Sequence, residues 1–463
     1  MSSPNNLPAS EESTSIPFAR KALILLILIN LFNYLDRQVL SAVVPYLKES
    51  FFGVGTDRGE LVTRLLDWCQ SHLGFKPENA LIGVLSMAFM LVYMLGAPLF
   101  ARLADKHSRW LLIGIGVTLW SVASFASGIA TTFVGLLITR CFVGIGESAY
   151  GPVAPSLISD LYPIKKRGAV LAWFYMAIPV GSALGYILGE AVAKSSIGPW
   201  GHATFGLPAE SWRWAFYVVM PPGLLLGAWC LLMREPKIGQ SDLAHQQTAQ
   251  TVSWKHCLIL CHTPSYVYCT LGMAAMTFAI GGIAFWMPYY LETERHIGGH
   301  PVIIFGAITV VAGLAATLLG GLAGDRLRAR FPGSYFLVSG VAMLLGFPMM
   351  ILVLQASATW IWVFMFFTCF CLFFNTGPTS TIIANVTHPA MRARAFAINI
   401  FVIHALGDVI SPLIIGMLSD HYQDMGKAFW LVAFMFLVGG GLWLLGARHL
   451  EQDTLNAAKA LAA

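Results

Sequence analysis

Charge is scarce in this chain. Aspartate and glutamate number 23 and lysine and arginine 28 among 463 residues, so charged side chains make up 11% of the sequence against 57% hydrophobic ones. A soluble domain carries about twice that share of charge, and a soluble fold is excluded. The start of the chain has no basic cluster before Arg20 and Lys21 and no small-residue cleavage site after a short apolar run. Residues 1–19, rich in Ser, Pro and Glu, read as a disordered cytoplasmic tail rather than a signal peptide. A disulfide framework is equally missing. Of the eight cysteines only Cys69 falls in a predicted outer loop; Cys141, Cys230, Cys257, Cys261, Cys269, Cys369 and Cys371 fall within spans or on the cytoplasmic side, where thiols stay reduced. The Cys257/Cys261 and Cys369/Cys371 spacings have no neighbouring ligands of the right type, so no metal and no cofactor is expected. Ser148 and Ser182 have no positioned histidine, and the chain is not expected to be an enzyme.

Long apolar runs are what the chain has in abundance. Windows of about 20 such residues recur from end to end, each enough to cross a ~30 Å hydrocarbon core. The predicted spans are 22–48, 80–104, 110–130, 133–160, 168–192, 212–233, 265–290, 302–324, 334–355, 358–384, 394–419 and 428–448, twelve helices in all. An even number puts both termini on one side. Arg20, Lys21, Arg102, Lys106, Arg109, Lys165, Lys166, Arg167, Arg234, Lys237, Lys255, Arg326, Arg328, Arg330, Arg392, Arg394 and Arg448 fall on that side and few bases fall opposite, which predicts cytoplasmic termini. The short tail without a targeting segment fits a bacterial inner membrane, with an organellar membrane as the alternative. Loop lysines and arginines facing anionic lipid account for the net charge of +5, and no nucleic-acid partner is implied.

The spans divide into two bundles of six. Residues 20–233 form the first and 263–449 the second, with a polar cytoplasmic linker at 234–262 and a cytoplasmic tail at 450–463. The turn after helix 2 reads Ala101-Arg102-Leu103-Ala104-Asp105-Lys106, and the turn after helix 8 reads Gly321-Leu322-Ala323-Gly324-Asp325-Arg326. Pro163 with Arg167-Gly168 after helix 4 finds a similar echo in Pro389 with Arg392 and Arg394 after helix 10. Internal repeats of this kind mark transporters built from two related bundles around a midplane site.

Four charges interrupt the apolar runs of the first half: Asp36 and Arg37 in helix 1, Arg140 and Glu147 in helix 4. A charge at bilayer depth costs at least ~2.5–3.5 kcal/mol, so such residues persist where they pair or line a polar pathway. Arg140 and Glu147 are seven apart and share a helix face, about 10 Å apart along the axis. A buried carboxylate is disfavoured as an anion by desolvation and favoured by a neighbouring arginine, so moving the arginine changes its proton affinity. Asp36 and Glu147 are the expected proton carriers, with Arg37 and Arg140 as switching partners or as guanidinium clamps for an anionic head group.

The paired Asp-base turns, the Arg140-x-x-x-Gly144-x-Gly146 run and the twelve-helix layout resemble the major facilitator superfamily across essentially the whole chain. Three stretches further resemble its spinster group of lipid transporters: Asn33-Tyr34-Leu35-Asp36-Arg37, Gly144-Ile145-Gly146-Glu147-Ser148-Ala149-Tyr150 with Pro155 and Asp160, and His404-x-x-Gly407-Asp408-x-x-x-Pro412. The first stretch is also similar to organic-anion symporters. The resemblance implies an all-α membrane protein of the major facilitator fold, working as a monomer by alternating access. It would carry a lysophospholipid or sphingoid phosphate with protons, or alternatively a small organic anion such as a sugar acid.

The same resemblance implies a cytoplasmic gate. Asp105 is expected to accept backbone hydrogen bonds from a facing helix start, Arg109 to pair with Asp160, and Asp325 and Arg326 to act likewise in the second half. On helix 7, Phe278, Phe285, Trp286, Tyr289 and Tyr290 are expected to form an apolar cavity wall, with His404 and Asp408, four apart on helix 11, beside it. Between helices 1 and 2, Leu61, Leu65, Cys69 and Leu73 recur every four residues, which predicts an amphipathic surface helix near 56–74 on the outer face.

Overall fold

The computed structural model describes residues 18–56, 58–162, 164–236, 258–388 and 391–457. The predicted tail through residue 17, the central part of the linker and the last six residues lie outside the described residues, as do Pro163 and Pro389 of the second repeat. Among the described residues, twelve helices are long and apolar enough to cross a membrane: Ala19–Ala42, Glu78–Ala104, Arg109–Ile129, Phe133–Leu161, Trp173–Ala193, Ser211–Leu231, Pro264–Glu294, Pro301–Arg328, Ser334–Gln355, Ile361–Asn385, Arg394–Tyr422 and Met425–Gly446. These are helices 1 to 12 below. Only a helix or a closed barrel satisfies every backbone group in lipid, which is why these apolar runs have one outcome. Helix 1 starts and helix 12 ends on one side, called here the terminal side; the other is the far side.

Four departures from continuous spans are informative. Helix 1 stops at Ala42 rather than near residue 48, and a separate helix, Val44–Phe52, starts with Pro45 in its first turn, where the missing N–H costs nothing. Helix 4 is interrupted at 149–152, between Ser148 and Val153, where Gly151 and Pro152 fall. Helix 10 breaks between Phe373 and Thr376. Helix 11 runs from Arg392 to Leu406, loosens at 407–410 and resumes at Ser411 with Pro412 in the new first turn. Interrupted helices at mid-depth are tolerated where they line a cavity. The predicted surface helix exists as Glu60–Leu73, with Val62, Leu66 and Cys69 buried and Leu61, Leu65 and Trp68 exposed. Residues 450–457, expected as tail, form a helix whose Asp453 accepts the Ser265 N–H at 2.8 Å.

Helix neighbours repeat between the halves. Helix 1 packs on 5, 2 on 4, and 3 on 4 and 6; helix 7 packs on 11, 8 on 10, and 9 on 10 and 12. The same exchange maps the contact of helix 2 with 11 onto that of helix 8 with 5, and these two crossings, with a lesser contact of helix 1 on 7, join the halves. Glycine permits the first crossing: a Cβ on Gly83 would lie 2.5 Å from the Pro412 carbonyl oxygen, and one on Gly416 would lie 2.6 Å from that of Asn79.

Candidate functional site

The four charges expected at mid-depth come together in the first bundle. Arg37 donates from Nε to Glu147 Oε2 at 2.7 Å, joining helix 1 to helix 4. Three rings surround its guanidinium, Tyr34, Phe89 and Tyr93, with centroids 4.9, 5.0 and 4.8 Å from Cζ. The cage fixes the group by cation–π attraction while Nε is committed to Glu147. Among the described residues the two terminal nitrogens of Arg37 have no hydrogen-bond partner, and the side chain keeps 15% of its surface accessible. An accessible guanidinium at this depth faces lipid or a polar cleft, and the cost of lipid exposure favours the cleft. A planar N–H pair aimed at a cleft matches a carboxylate or phosphate two-pronged.

Asp36 and Arg140 lie deeper. Both are 2% exposed. Asp36 Oδ1 accepts the Ser124 hydroxyl of helix 3, and Arg140 donates from Nη2 to Ser127 Oγ at 2.9 Å, one turn further along the same helix. Arg140 also sits 5.3 Å over the Phe216 ring. Asp36 and Arg140 feel each other's charge through space without a direct bond. Among the described residues two carboxylate oxygens, Asp36 Oδ2 and Glu147 Oε1, are buried without a hydrogen-bond partner, as is Arg140 Nε. A buried polar atom left unpaired calls for an explanation, and a proton or a ligand group is one that these three atoms share.

Elsewhere the structure sorts the remaining expectations. Arg109 pairs with Asp160 and, at 2.7 Å, with Glu235; Nη2 donates to the Pro236 carbonyl at 2.9 Å. Arg109 and Asp160 belong to the first half and Glu235 and Pro236 to the start of the linker, so this cluster ties helix 3 to the end of helix 4 and to the segment after helix 6, and the pair does not itself cross the cleft. Asp105 is exposed and takes no hydrogen bond among the described residues. Asp325 accepts the Tyr335 hydroxyl at 2.8 Å within the second half, and Arg326 is exposed. His404 Nδ1 lies 2.8 Å from Asp408 Oδ1 beside the break in helix 11, and both side chains remain partly accessible. Helix 7 approaches that break through Gly281, where a Cβ would lie 2.7 Å from Asp408 Cβ.

The aromatic wall requires correction. Phe278, Phe285, Trp286, Tyr289 and Tyr290 are all at most 5% exposed and pack inward: Trp286 Nε1 donates to the Pro412 carbonyl at 2.8 Å, and Tyr290 meets Phe429 edge-on. They hold helix 7 against 11 and 12 and do not line an open wall in this conformation. Ser124, Ser127 and the cage of Tyr34, Phe89 and Tyr93 were not anticipated. Ser121, Ser124 and Ser127 recur every three residues in an otherwise apolar helix 3, a signal available in the sequence.

A family model described as the Major Facilitator Superfamily matches residues 26–407. Human protein spinster homolog 1 is 32% identical over 96% of this chain and 84% of its own length. The sphingosine-1-phosphate transporter SPNS2 of Danio rerio is 31% identical over 93% of this chain and 84% of its length. The chain belongs to the spinster family of the major facilitator superfamily. Among solved structures, a bacterial homolog of the human lysosomal transporter Spinster, inward-facing and unoccupied, superposes with a TM-score of 0.78 at 21% identity, covering 95% of this chain and 99% of that one. A D-xylose-proton symporter gives 0.69 at 18% identity over 92% and 97%. The protein is therefore an integral, multi-pass membrane transporter of this superfamily and not an enzyme.

Proposed function

We propose that this spinster-family protein carries an amphipathic lipid with an anionic head group, of the lysophospholipid or sphingoid phosphate type, in exchange or in step with protons by alternating access. It would work as a monomer in a bacterial inner membrane with both termini cytoplasmic. The observation that carries the reading is Arg37: its Nε is held by Glu147, its ring cage is filled, and its terminal edge is left for an anion. Substrate and proton would then compete for one guanidinium. A phosphate drawing Arg37 away leaves Glu147 without its counter-charge, and a proton on Oε1 or Oε2 restores neutrality. Asp36, with Oδ2 unpaired beside Arg140, would be the second station. The name of SPNS2 as a sphingosine-1-phosphate transporter supports a phosphate-bearing lipid over a sugar acid.

Proteoliposome flux separates the alternatives. A lysophospholipid and a sphingoid phosphate are compared with a sugar acid, each with and without an imposed proton gradient. Gradient-accelerated lipid flux with an inert sugar acid is the expected result. Flux of the sugar acid alone would assign the chain to the organic-anion symporters, and lipid flux indifferent to the gradient would remove the proton from the cycle.

A further inference from the structure

At the crossings of helix 2 with 11 and of helix 8 with 5, a buried carboxylate from one half sits on the first turn of a helix from the other. Asp420, 4% exposed near the far end of helix 11, accepts the Asn79 N–H on Oδ1 at 3.0 Å and the Ala80 N–H on Oδ2 at 2.8 Å. Asn79 reinforces the contact by donating from Nδ2 to Ser419 Oγ at 3.1 Å. Glu190, fully buried near the far end of helix 5, accepts the Ile303 N–H on Oε2 at 2.8 Å. Helix 2 starts at Glu78 and helix 8 at Pro301, so the bonded N–H groups are among those with no partner inside their own helix and lie at its positive end. Exchanging the halves sends helix 2 to 8 and helix 11 to 5, and so carries one contact onto the other. Each half supplies one acid and receives one.

We propose that Glu190 and Asp420 are paired latches that hold the far side of the transporter shut, and that both release when the cleft opens there. The proposal rests on the alternating-access reading above. Separating helix 2 from 11 and helix 5 from 8 strands a desolvated carboxylate on one face and orphan N–H groups on the other at each crossing. Charge-assisted bonds of this type are about twice as strong as neutral ones, which makes the closed state the cheaper one until water reaches them. A half moving as a rigid body cannot free its acid while keeping its helix start engaged, so the latches act together.

The two are not equally guarded. Lys194 lies 2.6 Å from Glu190 Oε1 and 3.1 Å from Glu292 Oε1, and donates to the Gly299 carbonyl at 3.0 Å; His300 Nδ1 stands 3.8 Å from Glu190. Burial alone would lower the Lys194 ammonium, but bonds and attraction from Glu190 and Glu292 outweigh it and hold the group above its ordinary range. Asp420 instead borders a polar cavity of about 520 Å³ that Lys48, Lys76, Glu78 and Glu294 also line. Rehydration is easier at Asp420.

The test measures distances across the far side by paired spin labels on the full chain in lipid nanodiscs. Glu190→Gln, Asp420→Asn and the double variant are compared with Asp424→Asn, which removes the same charge from a cap inside the second half, where Asp424 Oδ1 accepts the Lys427 N–H at 3.0 Å. Each latch variant is expected to raise the ratio of far-open to far-closed molecules roughly tenfold, and the double by about the product. Asp424→Asn should leave the ratio unchanged. Unchanged distances in both single variants, or an equal shift with Asp424→Asn, overturns the proposal. Should a latch variant not fold, Asn79→Cys with Ser419→Cys supplies a second measurement: once oxidised, the pair should remove every far-open molecule, and a surviving far-open population would equally overturn it. None of these readouts uses a transported substrate or a proton gradient, so failure of the substrate or coupling reading leaves them standing.

Discussion

The two halves share one packing plan and differ in what they bury at mid-depth. Helices 1 and 4 of the first half place Asp36, Arg37, Arg140 and Glu147 there, with serines of helix 3 turned toward them. Their counterparts carry no such charge. Helix 10 offers Thr368, Asn375 and Thr379, whose side chains bond back to their own helix, and helix 7 offers Phe278, Phe285 and Trp286 in close packing. Helices 7 and 10 evidently pack in this plan without intramembrane charge. The charges of the first half are therefore a cost retained for work, and the second half reads as the surface against which that work is done.

The largest expected effect follows from the tie between Arg37 and Glu147. Glu147→Gln keeps the shape of the acid and removes its charge and its proton. It should abolish acceleration of lipid flux by a proton gradient while leaving binding of the lipid in place, and Asp36→Asn should do the same. If Glu147→Gln transports with full gradient response, Glu147 is a structural anchor and the contrast between the halves loses its functional meaning. Arg37→Lys comes next. It keeps the positive charge and discards the planar edge, so flux of a phosphate-bearing lipid should fall on the order of tenfold, mainly through weaker binding. Titration of the purified variant with a lysophospholipid checks this, and unchanged affinity would remove Arg37 from the head-group site.

Helix 4 shows how much of this was legible beforehand. A charge inside a 20-residue apolar run is visible without any structure, and so Asp36, Arg37, Arg140 and Glu147 were identified as a group, as was the Arg109 to Asp160 pair. Which partner each would take was not legible, because pairing depends on how helices 1, 3 and 4 are rotated about their axes. The breaks carry their own signals, Gly151-Pro152 and Gly407 with Pro412, yet apolar periodicity runs straight across them and the spans read as continuous. Pro45 was passed over for the same reason, which overran helix 1 by six residues. Helix 7 is apolar on all sides, so its sequence does not say which face meets the cleft, and the supposed wall proved to be core. Glu190 and Asp420 went unnoticed because they lie at the edges of the predicted spans, where a charge normally reaches water.

An intermediate effect is expected from the cluster around Arg109. The pair with Asp160 is nearly buried and lies wholly within the first half, and removing one partner of such a pair typically costs ~3–5 kcal/mol. Glu235 and the Pro236 carbonyl still hold Arg109 in Asp160→Asn, so a smaller loss, about 2 kcal/mol, is expected, seen as a fall of about 2 °C in the unfolding midpoint of a chain this long. The proton-gradient response of the folded fraction should persist. Loss of that response at unchanged thermal stability would instead make the cluster part of the transport switch.

The smallest effect is expected from the histidine–aspartate pair that the second half places at mid-depth among the described residues. Asp408 holds His404 with both oxygens, at 2.8 and 3.0 Å, one turn along the same helix. The contact steadies helix 11 next to its break at 407–410, opposite the close approach of Gly281. It stands apart from the chain of Arg37, Glu147, Asp36 and Arg140 that would exchange the proton. Asp408→Asn keeps the side chain's shape and one oxygen that can accept from His404 Nδ1. Flux should therefore change by less than about twofold, the order of a neutral hydrogen bond traded for another, and its dependence on pH and on the gradient should match the parent chain. A pH profile displaced by Asp408→Asn as far as by Glu147→Gln would mean that protons pass through both halves. The asymmetry between them would then lie in packing alone.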